Sequence, residues 1–429
     1  MKKTIIDRCE IVAVIFMLMY NPPIWKTKSL LVLAIVSCVY IILNYRYIIR
    51  LFGRVLQQYI VWIPLFIYLF VVALSNNNKP LSLQSFIYLL IAVIPTSIML
   101  TALVYKKGYD FQYYLDSILY AGLLQCIISI LAFFSPGLKN ILVNMMIAGK
   151  VFQDGTYSSY IMNLRIFGFS TGLTFGMPAL HAFLAVIAFY LATNNQKKSV
   201  KYYIMVPLFA FSGVINARTT VIIIGVGLIA YLICNYNMLG NAKRLLQFVV
   251  LSVAIVLIGF IGIVVLDTFS HATYVWFTEG LSQVLGFFSG DTTTGYFSYV
   301  TGSGKWIIPK DFNLITGFGI RVMGQNPIGP STDVGYVNDI FFGGIIYSTI
   351  IYSCIVYYSY DVLLKYKGYY INGFNRFITL YFILSLIVLN FKGYIIDLNN
   401  FFVLFIMLTV FCSHGCRKKD AEIYTLIRY

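Results

Sequence analysis

Runs of apolar residues long enough to cross a bilayer recur along almost the whole of this 429-residue chain, and they constrain its fold more than any single motif. A hydrocarbon layer about 30 Å thick is crossed by about 20 residues of helix. Twelve such segments are predicted, near 9–24, 29–45, 58–75, 84–105, 115–134, 177–193, 202–216, 219–236, 248–266, 338–360, 376–391 and 395–412. The residues Ala, Val, Ile, Leu, Met, Phe, Trp, Tyr and Cys make up 60% of the chain and only 11% is charged. A soluble core has no room for that much apolar surface, so the expected class is an all-α polytopic membrane protein. The opening "MKKTIIDRCEIVAVIFMLMY" has no small-residue cleavage site and is expected to become the first span.

The net charge of +16 is explained by topology. With the N-terminus inside, every internal connection carries at least two Lys or Arg: Lys2, Lys3 and Arg8; Arg46, Arg50 and Arg54; Lys106 and Lys107; Lys197, Lys198 and Lys201; Lys243 and Arg244; Lys365, Lys367 and Arg376; and Arg417, Lys418, Lys419 and Arg428. This is the positive-inside pattern with both termini cytoplasmic, and it removes nucleic acid as a partner. Seven cysteines lie mostly inside apolar runs without CxxC spacing, which argues against a disulfide framework or a zinc site. No HExxH, nucleophile elbow, phosphate loop or dinucleotide fingerprint occurs, so neither a metal nor a cofactor is expected. The chain reads as a single integral membrane domain, residues 1–429, with two large external loops at 135–176 and 267–337, where chemistry is expected.

Three arginines fall on the external side, which the topology disfavours. Arg165 opens the Gly-rich stretch "RIFGFSTGLTFGMP", Arg218 sits in the tight connection "VINARTTVII", and Arg321 lies in "GFGIRVMGQNPIGPSTDVGY". A guanidinium forks onto phosphate oxygens and never loses its charge, so converging arginines suit a lipid-linked phosphate or pyrophosphate. Each one taken alone also fits a headgroup anchor. Gly168, Gly172 and Gly176 permit close backbone approach, and Pro178 suits the first turn of a helix. His181 follows in that turn, placed to line a cavity or to pack. His271 opens the second external loop and Asp333 precedes the tenth span; either suits a general base, whereas Asp339 suits a cap or anchor. His414 falls on the cytoplasmic side with no assigned role. Trp276, Tyr296 and Tyr336, with Tyr299 and Trp306, offer faces for sugar stacking or an interfacial aromatic belt.

This order of parts resembles the Wzy-type O-antigen and capsular polysaccharide polymerases, whose superfamily includes the O-antigen ligases. "RIFGFSTGLTFG" is similar to the family's Arg–x10–Gly element, from Arg165 to Gly176. "NARTTVIIIGVGL" looks like its Ser-Arg turn, with Ala217 where Ser is common. "GFG" at 317–319 and "STDVGYVNDIFFGGIIYS" resemble its closing element. Asp333 stands where the ligases usually carry a His-Asn pair, which favours a polymerase. Thr332 stands eleven residues after Arg321, where the glycine would fall, so the second Arg–x10–Gly is absent. The resemblance implies a glycosyltransferase of the bacterial inner membrane, moving a growing glycan from undecaprenyl pyrophosphate onto a new lipid-linked repeat unit. Arg165 and Arg218, with Arg321 and His181, would hold the pyrophosphate. Asp333 or His271 would take the proton, and Trp276, Tyr296 and Tyr336 would contact sugar. The implied partners are the lipid-linked oligosaccharide, the bilayer and a chain-length regulator. An O-antigen ligase and a lipid-linked oligosaccharide flippase are the rival functions.

Overall fold

A computed structural model describes residues 2–24, 27–77, 83–148, 166, 168–170, 176–194, 199–235, scattered positions between 253 and 282, 305–322, 332–368, 373–396 and 399–414. The regular elements of the described chain are helices, apart from one hairpin of two two-residue strands, β1 (Pro23–Ile24) and β2 (Thr27–Lys28). In order come α1 (Lys2–Tyr20), α2 (Ser29–Leu43), α3 (Tyr45–Tyr59), α4 (Trp62–Ser75), α5 (Gln84–Lys106, with a π-helical turn at 89–93), α6 (Phe111–Phe134) and α7 (Pro136–Ala148). They are followed by α8 (Gly176–Asn194), α9 (Ser199–Val214), α10 (Thr219–Cys234), α11 (Phe312–Thr316), α12 (Gly335–Tyr357, continued as a π-helix through Leu364), α13 (Phe374–Leu389) and α14 (Asn400–His414). Among the described residues, four helices are long and apolar enough to cross a membrane: α5, α6, α8 and α12 with its π-helical continuation. Six shorter apolar helices accompany them. Helices satisfy their own backbone groups where water is absent, and this is the architecture of a helical membrane protein.

The bundle is built around α8, whose apolar stretch is wholly buried. It packs on α9, α10, α14 and α6. Its small residues Ala179, Ala182, Ala185 and Ala188 are fully or almost fully buried and let neighbours approach closely. On α10, a Cβ at Gly227 would lie 2.6 Å from the Tyr381 ring and 2.7 Å from Val186.

Two connections are more ordered than expected. The stretch bearing Arg46, Arg50 and Arg54, predicted to be internal, forms the helix α3, because Ile48, Val55 and Tyr59 fall on one face and are buried. The Tyr59 hydroxyl and Thr409 Oγ1 are hydrogen-bonded at 2.7 Å, which fixes α3 to α14. The stretch predicted as the first external loop begins with the helix α7, opened by Pro136 at a position where a missing N–H costs nothing.

The segment predicted as one span near 338–360 is not one straight helix. Gly343 (φ −147°, ψ 18°) and Gly344 (φ 64°, ψ −167°) break α12. The chain around 317–319 fills the break: Phe318 N donates to Phe341 O at 2.7 Å and Gly319 N to Phe342 O at 3.0 Å. The Tyr68 hydroxyl spans the joint, within 3.0 Å of Thr316 O and 3.1 Å of Gly343 O. A Cβ on Gly344 would stand 2.1 Å from Ile315 O, in a left-handed conformation that already disfavours side chains. Gly344→Ala is therefore expected to destabilise the purified protein by about 2 kcal/mol or more. Gly225→Ala on α10, where a Cβ meets nothing within 4 Å, is the control and should leave the thermal unfolding midpoint unchanged.

Candidate functional site

Two irregular, buried stretches of chain enter the bundle on the side predicted to be external, and each carries or adjoins a predicted arginine. The first comprises residues 166 and 168–170. Gly168 takes a φ of +56°, and a Cβ there would lie 2.6 Å from Gln125 Nε2. Phe169 N donates to Gln125 Oε1 at 3.3 Å. Ser170 is buried and its Oγ accepts from Asn400 Nδ2 at 3.2 Å. A buried glutamine therefore replaces water for the Phe169 amide, and a buried asparagine does so for the Ser170 hydroxyl.

The same stretch is tied to the α9–α10 turn. Asn216 Oδ1 accepts from Ile166 N at 2.8 Å, while Asn216 Nδ2 donates to Ser212 O at 2.8 Å. Ile166 is the residue after Arg165, and Arg218 lies two residues beyond Asn216 at the N-cap of α10. Arg218 is half-buried in this turn. Arg165 itself lies outside the described residues, as do Trp276 and Tyr296.

The second stretch, 317–322, carries Arg321, whose side chain is 9% exposed. Its guanidinium lies between the rings of Phe342 (4.3 Å) and Tyr394 (4.2 Å). Arg321 Nη2 donates to Ile396 O at 2.9 Å and stands 3.9 Å from Asp339 Oδ1. Asp339 has no exposed surface. Its Oδ2 accepts from the Tyr352 hydroxyl at 2.6 Å and from Asn390 Nδ2 at 3.2 Å, and Asn390 also contacts the Tyr352 hydroxyl. On a straight helix, thirteen residues would separate Asp339 from Tyr352 by about 20 Å. Only the break at Gly343 and Gly344 lets the two side chains of one helix meet.

Asp333 is half-buried beside this centre. Thr332 N donates to Val322 O at 3.0 Å, which sets Arg321 and Asp333 one residue to either side of a bonded backbone pair. Asn338 locks the same corner: its Oδ1 accepts from Val322 N at 2.9 Å and its Nδ2 donates to Thr332 O at 2.9 Å. Tyr336 is half-buried; its hydroxyl donates to Ile387 O at 3.0 Å and its ring lies 6.0 Å from that of Tyr352.

The remaining predicted residues lie apart. His181 is fully buried, with Nε2 3.0 Å from the Tyr20 hydroxyl and Nδ1 3.0 Å from Ser212 Oγ and 3.6 Å from Cys126 Sγ. It fastens α8 to α1, α9 and α6, inside the frame under the first stretch. His271 is largely exposed, pairs with Asp267 Oδ1 at 2.8 Å, and stacks on Tyr274. Nearby Phe269 packs against Phe133 and Phe134 at the end of α6. Asn390 and Ile396, beyond the end of α13, serve the Arg321 centre, and Asn400, the first residue of α14, reaches Ser170. Among the described residues, no group of three or more His, Cys, Asp or Glu is placed to hold a metal ion. No protein-family model, curated protein or solved structure matches the chain.

Gln125, Asn216, Tyr352 and Asn390 were not singled out from the sequence. For Gln125, Asn216 and Asn390 the signal is a carboxamide inside or at the end of an apolar run, which must find partners because an unmatched amide in hydrocarbon is costly. Asp339→Ala should lower stability by about 3–5 kcal/mol, since it leaves a buried guanidinium without its carboxylate. Asp339→Asn, which keeps the shape and the Tyr352 contact, should cost less. Thermal unfolding of the two variants in one detergent checks the order.

Proposed function

We propose that this chain is a membrane glycosyltransferase that polymerises undecaprenyl-pyrophosphate-linked repeat units into O-antigen or capsular polysaccharide. It would do so on the outer face of the bacterial inner membrane, in a twelve-span topology with both termini cytoplasmic and two large external loops. The observation that carries the reading is the Asn216 Oδ1 to Ile166 N bond of 2.8 Å, because it joins the stretch that follows Arg165 to the turn that bears Arg218. A turn that bears Arg218 and ties down the chain following Arg165 suits a phosphate-bearing lipid, whose chain stays in the bilayer while its charge sits at the surface.

In this reading Arg165 and Arg218 neutralise the pyrophosphate as it leaves. Arg321 extends the positive field from the second stretch, its guanidinium already held by Ile396 O and two aromatic rings. Fixed charge aimed at a leaving group needs no reorganisation during the reaction. Asp333, one residue from the backbone pair that also orders Arg321, takes the proton from the acceptor hydroxyl. His271 is the other candidate base. Tyr336, with Trp306 and the loop aromatics Trp276 and Tyr296, would contact the sugars. His181 supports the frame beneath the clamp.

The test is turnover of a defined lipid-pyrophosphate repeat unit by the protein in nanodiscs. Product ladders and released undecaprenyl pyrophosphate are expected, and Arg218→Ala should slow both by about 10²–10³, the usual cost of a lost electrostatic stabiliser. Movement of intact lipid-linked sugar between leaflets without new glycosidic bonds would contradict the reading and indicate a flippase. Transfer onto a lipid core alone would indicate a ligase.

A further inference from the structure

α3 differs from its neighbours in polarity. Its 15 residues, "YRYIIRLFGRVLQQY", lie between the apolar helices α2 and α4. Arg46, Arg50 and Arg54 recur every four residues, which sets them in one row along the helix. Ile48, Val55 and Tyr59 recur on the opposite face and are buried against the bundle. The flank between these faces carries Tyr45 and Ile49, which are 51% and 59% exposed. One helix thus presents a face covered by protein, an uncovered apolar flank and a basic row.

The connections restrict where this helix can lie. Asn44 alone joins it to α2, and only residues 60 and 61 separate it from α4. At the first joint the backbone N and the Nδ2 of Asn44 both donate to Tyr40 O, at 3.0 and 2.9 Å, so the end of α2 is capped as the chain turns. α3 packs on α14 and α5, and the bond from Tyr59 meets Thr409 near the C-terminal end of α14. An amphipathic helix held this closely between two apolar helices lies where they end, at the boundary of hydrocarbon and water.

The basic row has no counter-charge. No Asp or Glu occurs between Glu10 and Asp110. Among the described residues Arg46 and Arg50 are exposed and enter no ion pair, and Arg46 Nε donates to the neighbouring Tyr45 hydroxyl at 2.9 Å. Lys107, Lys201 and Lys365, by contrast, each reach a carboxylate, at 2.6, 2.7 and 2.7 Å. A row of guanidiniums without carboxylates selects a partner of net negative charge, and forks onto phosphate oxygens best of all. The exposed Tyr45 and Ile49 beside it require hydrocarbon. An anionic phospholipid supplies both within one molecule.

We propose that α3 is an interfacial helix that binds anionic phospholipid, with Arg46, Arg50 and Arg54 on the headgroup phosphates and Tyr45 and Ile49 among the acyl chains. Bound lipid ties α3 to the membrane surface while Ile48, Val55 and Tyr59 tie it to α5 and α14. The proposal rests on the chain being a helical membrane protein and is independent of the polymerase reading.

The test titrates phosphatidylglycerol or phosphatidylcholine into the full-length, delipidated protein in detergent. Bound lipid is counted by native mass spectrometry, and the thermal unfolding midpoint is recorded alongside. Phosphatidylglycerol is expected to bind at lower concentration and to raise the midpoint. Each basic residue at a membrane surface contributes about fivefold to such binding. The triple variant Arg46→Gln/Arg50→Gln/Arg54→Gln should therefore weaken phosphatidylglycerol binding by about 10²-fold and lose the stabilisation. Glutamine is as good a helix former as arginine, so its midpoint without lipid should match that of the parent. If the triple variant does not fold, Arg50→Gln alone is expected to cost about fivefold. Lys367→Gln, which removes an exposed charge outside α3, should leave binding unchanged. Equal losses in Arg50→Gln and Lys367→Gln, or a folded triple variant that binds like the parent, would overturn the proposal. Equal retention of the two lipids by the parent would also overturn it and leave the basic row to an acidic protein.

Discussion

The break at Gly343 and Gly344 is the constraint on which the Arg321 side of the structure depends. A helix interrupted in hydrocarbon exposes carbonyls that lipid cannot satisfy, so the interruption survives only if protein backbone enters it. The amides of Phe318 and Gly319 do so, donating to Phe341 O and Phe342 O. That exchange has three geometric results. It fixes 317–322, and so Arg321, at the joint; it redirects the first turns of α12 so that Asp339 faces Tyr352; and it brings Gly335 to Asn390 at the end of α13. Without the break Asp339 and Tyr352 would lie along one straight helix, on different faces and at different depths.

A charged pair in such surroundings contributes little to stability by itself, because desolvation offsets most of the attraction. What surrounds Arg321 and Asp339 is therefore informative. Two aromatic faces and a carbonyl hold the guanidinium, and a tyrosine and an asparagine hold one carboxylate oxygen. The arrangement fixes the geometry of a buried ion pair, with Asp339 offsetting much of the guanidinium's charge. The first stretch is held differently, by neutral carboxamides: Gln125, Asn216 and Asn400 each bond the irregular chain around 166–170. One entry point thus carries fixed charge, and the other presents a turn with Arg218 at its end.

The apolar runs were legible because hydrocarbon admits few alternatives to helix: α6 covers 111–134 where 115–134 was predicted, and α13 covers 374–389 where 376–391 was predicted. The helices α3 and α7 were not, since their residues are too polar or too short a run to register as spans, and tertiary packing of Ile48, Val55 and Tyr59 decides the first. Asp339 was read only as a cap or anchor, because six residues of continuous helix would turn it away from Asp333. Its pairing depends on a backbone break that a Gly-Gly pair permits but does not require. The importance of Asn216 is likewise a matter of tertiary contact: nothing local says that its side chain will meet residue 166 across fifty positions of sequence.

The central claim is that Arg165 and Arg218 act on one phosphate-bearing group, and a double-mutant cycle tests it most directly. Binding of undecaprenyl pyrophosphate to the parent, Arg165→Ala, Arg218→Ala and the double variant would be measured by native mass spectrometry from nanodiscs. Two cations on one ligand predict strong non-additivity, with the double variant binding much more tightly than the product of the single losses implies. Single losses that multiply, or an Arg165→Ala variant that binds like the parent, would contradict the account.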